Sequence, residues 1–186
     1  MNIKIGCSGW VYPEWKGVFY PKDLPQKEWF SFYANKFNSV EINNTFYNFP
    51  TRSTINKWYN QAPEGFSYCL KANRLITHVK SFENIGDSIQ DFYELGALLE
   101  EKMGSFLFQL PPRFTYNPAR LQAILNNLDC RYQNILEFRH PSWWNTDVYE
   151  TLLNHNITFC SVSGPGLPDE VISINKNVYV RLHGIP

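Results

Sequence analysis

Asn134–Trp143 reads NILEFRHPSW, and the fold turns on how this stretch is read. Ile135, Leu136 and Phe138 suit a buried, pleated surface, so the stretch opens as a strand. Side chains alternate along a strand, which puts Glu137 and Arg139 on one face and Leu136 and Phe138 on the other. A charged pair inside a buried strand is costly unless it is bonded or used. His140 and Pro141 end the strand, and Trp143 and Trp144 follow at its carboxyl end. Alone, the Glu–Arg pair fits a packing role as well as a functional one. Recurrence of the same pattern elsewhere in the chain favours function.

Working outward, strands are expected over Asn2–Cys7, Ser39–Tyr47, Phe66–Asn73, Ser105–Leu110, Ile157–Ser163 and Asn177–His183. Together with the opening stretch these make seven, and Val171–Ile174 reads as a small extra one. Helical spacing appears over Gln26–Asn35, from a Thr51 or Ser53 cap to Gln61, and from Asp87 through Ile89, Phe92 and Leu99 to Met103, with Gly104 as the stop. Asn117-Pro118 is a cap followed by proline at the first helical position, with Leu121, Ile124, Leu125 and Leu128 as the buried stripe. Thr146–Asn154 is a last short helix. Strands separated by helices or long crossovers indicate parallel β/α winding. The glycines Gly6, Gly9 and Gly17 fit neither dinucleotide nor P-loop spacing, which favours a barrel.

In a barrel, one strand face packs under helices and the other fills the interior. With the apolar face outward, the inward set is Ser8, Glu41, Asn43, Lys71, Gln109, Glu137, Arg139, Ser161, Ser163, Arg181 and His183. It is strongly polar and sits towards the strands' carboxyl ends, where barrel active sites lie. The sequence therefore predicts that Glu41, Lys71, Glu137, Arg139, Arg181 and His183 converge on one cavity.

At 186 residues the chain has room for one good-sized core, read as a single domain over 1–186. Apolar content of 44% argues against disorder, and zero net charge removes any global basic field that would attract nucleic acid. Cys7, Cys69, Cys130 and Cys160 form neither a C-x-x-C pair nor a zinc spacing. They read as reduced thiols of a cytoplasmic protein. No apolar run is long enough for a membrane span, and no charged leader with a cleavage site precedes Ile3.

Several segments resemble the YecE-like family, the domain of unknown function 72. They are Ile5–Trp10 (IGCSGW) with Tyr12-Pro13, Glu41–Tyr47 (EINNTFY), Lys71 with Thr77-His78, Phe108–Pro112 (FQLPP), Glu137–Trp143 (EFRHPSW) and Arg181–Gly184 (RLHG). The resemblance runs in order along almost the whole chain and implies a TIM-barrel-like fold. It implies no activity, since the family is named for lacking one. Family members continue past the Arg-Leu-His-Gly segment. The expectation is therefore an incomplete barrel with its eighth strand missing, left with an open edge prone to self-association.

The inward residues suggest chemistry. Glu41 and Glu137 are two carboxylates able to divide acid and base roles, with His183 as a further acid–base group. Lys71, Arg139 and Arg181 favour an anionic ligand such as a phosphate or a sugar phosphate. Asn43, His78, Gln109, His140 and Trp143 complete the candidate binding set. The histidine and glutamate spacing is not diagnostic of a metal site, so no metal ligands are assigned, and the sequence leaves the cofactor open. The leading expectation is an acid–base enzyme, a hydrolase, lyase or isomerase, acting on a small anionic or phosphorylated substrate. The alternative is a non-catalytic module that binds a nucleotide or a nucleic-acid end, using the same cations for phosphate and the tryptophans for stacking.

Overall fold

A computed structural model describes residues Asn2–His183. It is an α/β protein with six strands among the described residues: β1 (Ser39–Ile42), β2 (Ser67–Lys71), β3 (Met103–Gln109), β4 (Asn134–Glu137), β5 (Thr158–Ser163) and β6 (Tyr179–Leu182). The helices are α1 (Trp29–Ala34), α2 (Arg52–Gln61), α3 (Ser88–Ala97), α4 (Pro118–Leu125) and α5 (Thr146–Asn154). Contacts group the chain into two compact units. The first is Met1–Lys71 with Phe92–Gly104, and the second is Ala72–Asp91 with Ser105–Pro186.

In the first unit β1 pairs in parallel with β2, Glu41 opposite Cys69 and Val40 opposite Tyr68. Glu41, Cys69 and Lys71 thus share one face, and Val40, Ile42, Tyr68 and Leu70 share the other. Helix α1 buries Trp29, Phe30 and Tyr33. Helix α2 begins as the sequence indicates, with the Thr51 hydroxyl accepting from the Thr54 amide.

The expected first strand, Asn2–Cys7, does not form, so six strands stand in place of seven. The segment does run beside β1, with the Glu41 amide donating to the Cys7 carbonyl at 3.0 Å. Most of its other bonds go to side chains. Asn38 Oδ1 accepts from the Ile5 amide at 2.8 Å, and Asn38 Nδ2 donates to the Ile3 carbonyl at 2.8 Å. The Tyr33 hydroxyl accepts from the Cys7 amide and donates to the Ser39 carbonyl. At Gly6 a Cβ would lie 2.0 Å from that Ser39 oxygen, so only glycine allows this approach.

The second unit carries β3 from Ser105 onward and β4 to β6 as parallel neighbours. Phe106 lies opposite Asn134 and Gln109 opposite Glu137, Leu136 lies opposite Phe159, and Val162 lies opposite Arg181. Helix α4 has the Asn117 side chain accepting from the Ala119 amide, with Pro118 inside the first turn. Helix α5 is capped by Asn145, whose side chain accepts from the Val148 amide. Two strand-face expectations need correcting. Because Val162, not Ser163, lies opposite Arg181, Cys160 and Val162 share the Arg181 face. Ser161 and Ser163 therefore leave the inward set, and the Ser161 hydroxyl accepts from the Ile172 amide at 2.8 Å. That bond also captures the Val171–Ile174 segment, which forms no strand.

Candidate functional site

In the second unit the opening stretch folds as its alternation suggests. Strand β4 ends at Glu137, whose carbonyl accepts from the Leu110 amide at 2.8 Å. Leu136 and Phe138 are wholly buried, and Phe138 stacks on Trp143 with ring centroids 4.0 Å apart. Glu137 lies on the opposite face, and its side chain is 0% exposed. Arg139 Nε donates to Glu137 Oε1. Arg181 Nη1 donates to the other oxygen, Oε2, at 2.5 Å. One buried carboxylate thus holds two guanidiniums, one from the end of β4 and one from β6.

His183 completes the group. Its Nε2 faces Arg139 Nη2 at 2.7 Å and Arg181 Nη1 at 3.4 Å. A guanidinium only donates, so Nε2 must accept and the imidazole proton sits on Nδ1. Arg139 remains 21% exposed, and only two of its donors, Nε and Nη2, face Glu137 and His183. Arg139 is thus held from behind by Glu137 while its side chain stays partly exposed. Gln109, half-buried, lies in register with Glu137 on the neighbouring strand and so shares its face.

The other candidates of this unit divide. Trp143 is wholly buried, stacked between Phe138 and Phe114, and its Nε1 donates to the Phe114 carbonyl at 2.6 Å. It is a core residue with no face left for a ligand, which corrects the expectation that it stacks substrate. His140 uses Nδ1 to accept from the Ser142 amide, capping the Pro141–Trp143 turn. His78 is bound through Nδ1 to the Thr77 hydroxyl at 2.9 Å. It lines an open cleft of about 550 Å³ with Arg74, Val79, Pro111, Pro112 and Arg113. Sequence reading missed both arginines. The available signal was their position, each just after a strand's carboxyl end in an Asn- or Pro-containing loop.

In the first unit, Glu41 and Lys71 are buried on one face of the β1–β2 pair. Lys71 Nζ lies 4.6 Å from the Phe46 ring centroid. Expected strand residues 43–47 instead turn as a 3-10 helix over Asn44–Phe46. The turn is held by Thr45, whose hydroxyl meets the Ile42 and Lys71 carbonyls. Asn43 Nδ2 donates to the Ser8 carbonyl at 3.3 Å, while its buried Oδ1 has no hydrogen-bond partner among the described residues. All four cysteines are free, with Cys69 and Cys160 buried and Cys130 on the surface. Among the described residues no helix is long and apolar enough to cross a membrane. Gly184 of the Arg-Leu-His-Gly segment lies outside the described residues.

These features define an α/β protein with parallel strands and a Glu–Arg–Arg–His constellation at strand carboxyl ends, built on the buried Glu137 and Arg181. The chain belongs to the DUF72 family, described as a protein of unknown function, whose profile matches residues 4–186. It is 27% identical over 204 aligned residues to the UPF0759 protein YunF of Bacillus subtilis (strain 168), covering 98% of this chain and 70% of that one. A solved DUF72 family protein from Thermotoga maritima MSB8 superposes with a TM-score of 0.86 at 29% identity, covering 97% of this chain and 74% of that chain. One from Enterococcus faecalis V583 gives 0.82 at 20% identity, over 98% of this chain and 71% of that chain, and supports the fold alone.

Proposed function

We propose that the β/α winding belongs to a TIM-barrel-like scaffold. On it, Arg139, Arg181 and His183 form the anion-recognising, proton-handling centre of an acid–base enzyme that acts on a small anionic or phosphorylated substrate. One observation carries the reading: a partly open Arg139, locked from behind by the buried Glu137, stands in contact with an imidazole. A preorganised guanidinium matches the oxygens of a phosphate or carboxylate. Glu137 changes role from the sequence expectation. Both its oxygens accept from arginines, so it positions the cations and leaves proton transfer to His183.

The test is a turnover screen of phosphorylated metabolites followed by variants. His183→Gln is expected to lower kcat by about a hundredfold, the scale of a lost acid–base group. Arg139→Lys is expected to act mainly on KM, because ammonium keeps the charge and loses the fork. Binding without turnover, weakening steeply with salt for an oligonucleotide, would favour the non-catalytic nucleic-acid-end module instead.

A further inference from the structure

We propose that the cleft between the turn Leu75–Val79 and the Pro111–Arg113 loop is a second anion site. It takes a phosphoryl group through Arg74, Arg113 and His78, and it uses none of the Glu137 cluster. The lining includes two arginines and a histidine and no carboxylate. Neither the Arg74 nor the Arg113 guanidinium has a hydrogen-bond or ion-pair partner among the described residues, and both residues are exposed. In a chain with zero net charge, two unpaired guanidiniums sharing one concavity make a local basic focus. His78 is oriented by its Nδ1 contact with Thr77, which is itself wholly buried.

The backbone here is held in an unusual state. Leu75–Val79 is a π-helical turn, a form that recurs at functional sites. The loop behind it has four left-handed residues: Ser81, Phe82, Asn84 and Gly86, with φ of 49°, 64°, 47° and 56°. A left-handed phenylalanine is costly and persists only where the surroundings impose it. Phe82 is 2% exposed, its amide donates to the Ile76 carbonyl, and its carbonyl accepts from Asn127 Nδ2. A strained, anchored segment that presents Arg74 and His78 to a cation-lined cleft fits a preorganised site. The volume of about 550 Å³ exceeds a phosphate and suits a phosphoryl group together with the sugar or nucleoside that bears it. Pro111, Pro112 and Val79 supply the apolar wall.

The experiment is calorimetric titration of the full chain with inorganic phosphate, a nucleoside monophosphate and a 5′-phosphorylated tetranucleotide. The double variant R74A/R113A changes two exposed side chains, and an unaltered melt without ligand checks its fold. Phosphate affinity is expected to fall about tenfold in R74A/R113A, the scale of lost charge-assisted bonds, and to recover in part in R74K/R113K. A tetranucleotide that binds at least about tenfold tighter than the monophosphate, with steep salt dependence, identifies a strand end as the source. Equal binding identifies a small phosphorylated molecule. An isotherm unchanged in R74A/R113A, or no phosphate binding by the unaltered chain at about 10 mM, overturns the proposal. Loss of turnover in Arg139 variants bears on the Glu137 cluster alone, so the two readings fail separately.

Discussion

At Glu137 a carboxylate with no exposed area faces two guanidiniums. Truncating it removes the acceptor of the buried Arg181 and of Arg139 beside it, which costs far more than the pair adds to stability. Glu137→Ala is therefore expected to lower the unfolding free energy by about 3–5 kcal/mol in urea denaturation. Arg131→Ala is the control. It breaks a pair with Asp129 whose arginine is 72% exposed, and it is expected to cost less than about 1 kcal/mol. Equal losses would contradict the burial argument. The tyrosines set a second residue-scale expectation. Burial pushes the Tyr20 phenol up from 10.0 to about 12 and raises Tyr33 and Tyr68 as well. Below the ordinary value both states are protonated, so stability is flat. As pH rises beyond it, the unfolded chain releases protons that the folded chain keeps, and stability falls from pH 10 towards 12. Denaturation midpoints at about pH 9 and about pH 11 read this directly. Tyr68→Phe is expected to shrink the drop, at the cost of the bond from its hydroxyl to the Trp58 carbonyl.

At the scale of elements, alternation and capping were legible where the deciding bonds are local. Asn117, Thr51 and the span Thr146–Asn154 behave as their residue types dictate. The Glu137/Arg139 face was legible because period-two alternation places it. What escaped the reading depends on residues distant in sequence. Gly104 looks like a helix stop but sits in β3, where an added Cβ would lie 2.2 Å from the Ser67 hydroxyl and 3.0 Å from the Tyr68 carbonyl oxygen. Trp143 looked like a loop aromatic, yet its stack with Phe114 and Phe138 puts it in the core. The Asn2–Cys7 segment has strand composition, but Asn38 and Tyr33 intercept its backbone. Asn38→Ala is accordingly expected to speed amide hydrogen exchange at Ile5 by about tenfold or more, with the β1 and β2 amides unchanged. Uniform protection across residues 2–7 in that variant would show that the side chain is dispensable.

For the whole molecule, the second unit shows β6 and the residue before it with apolar side chains uncovered: Val178, Val180 and Leu182 are 48%, 44% and 81% exposed. Among the described residues of that unit, β6 pairs only with β5. A run of exposed apolar residues favours association. Sedimentation of the 186-residue chain is expected to show concentration-dependent self-association that Val180→Lys/Leu182→Lys relieves. A monomer at all concentrations would count against association through these residues. The central claim is that Arg139, positioned by Glu137, receives an anion beside His183. It is tested most directly by melting temperature against phosphate concentration, run in an R74A/R113A chain so that the cleft does not contribute. Stabilisation at millimolar phosphate that disappears with Arg139→Gln is the predicted result. The same stabilisation with and without the Arg139 side chain, or none in either, would contradict it.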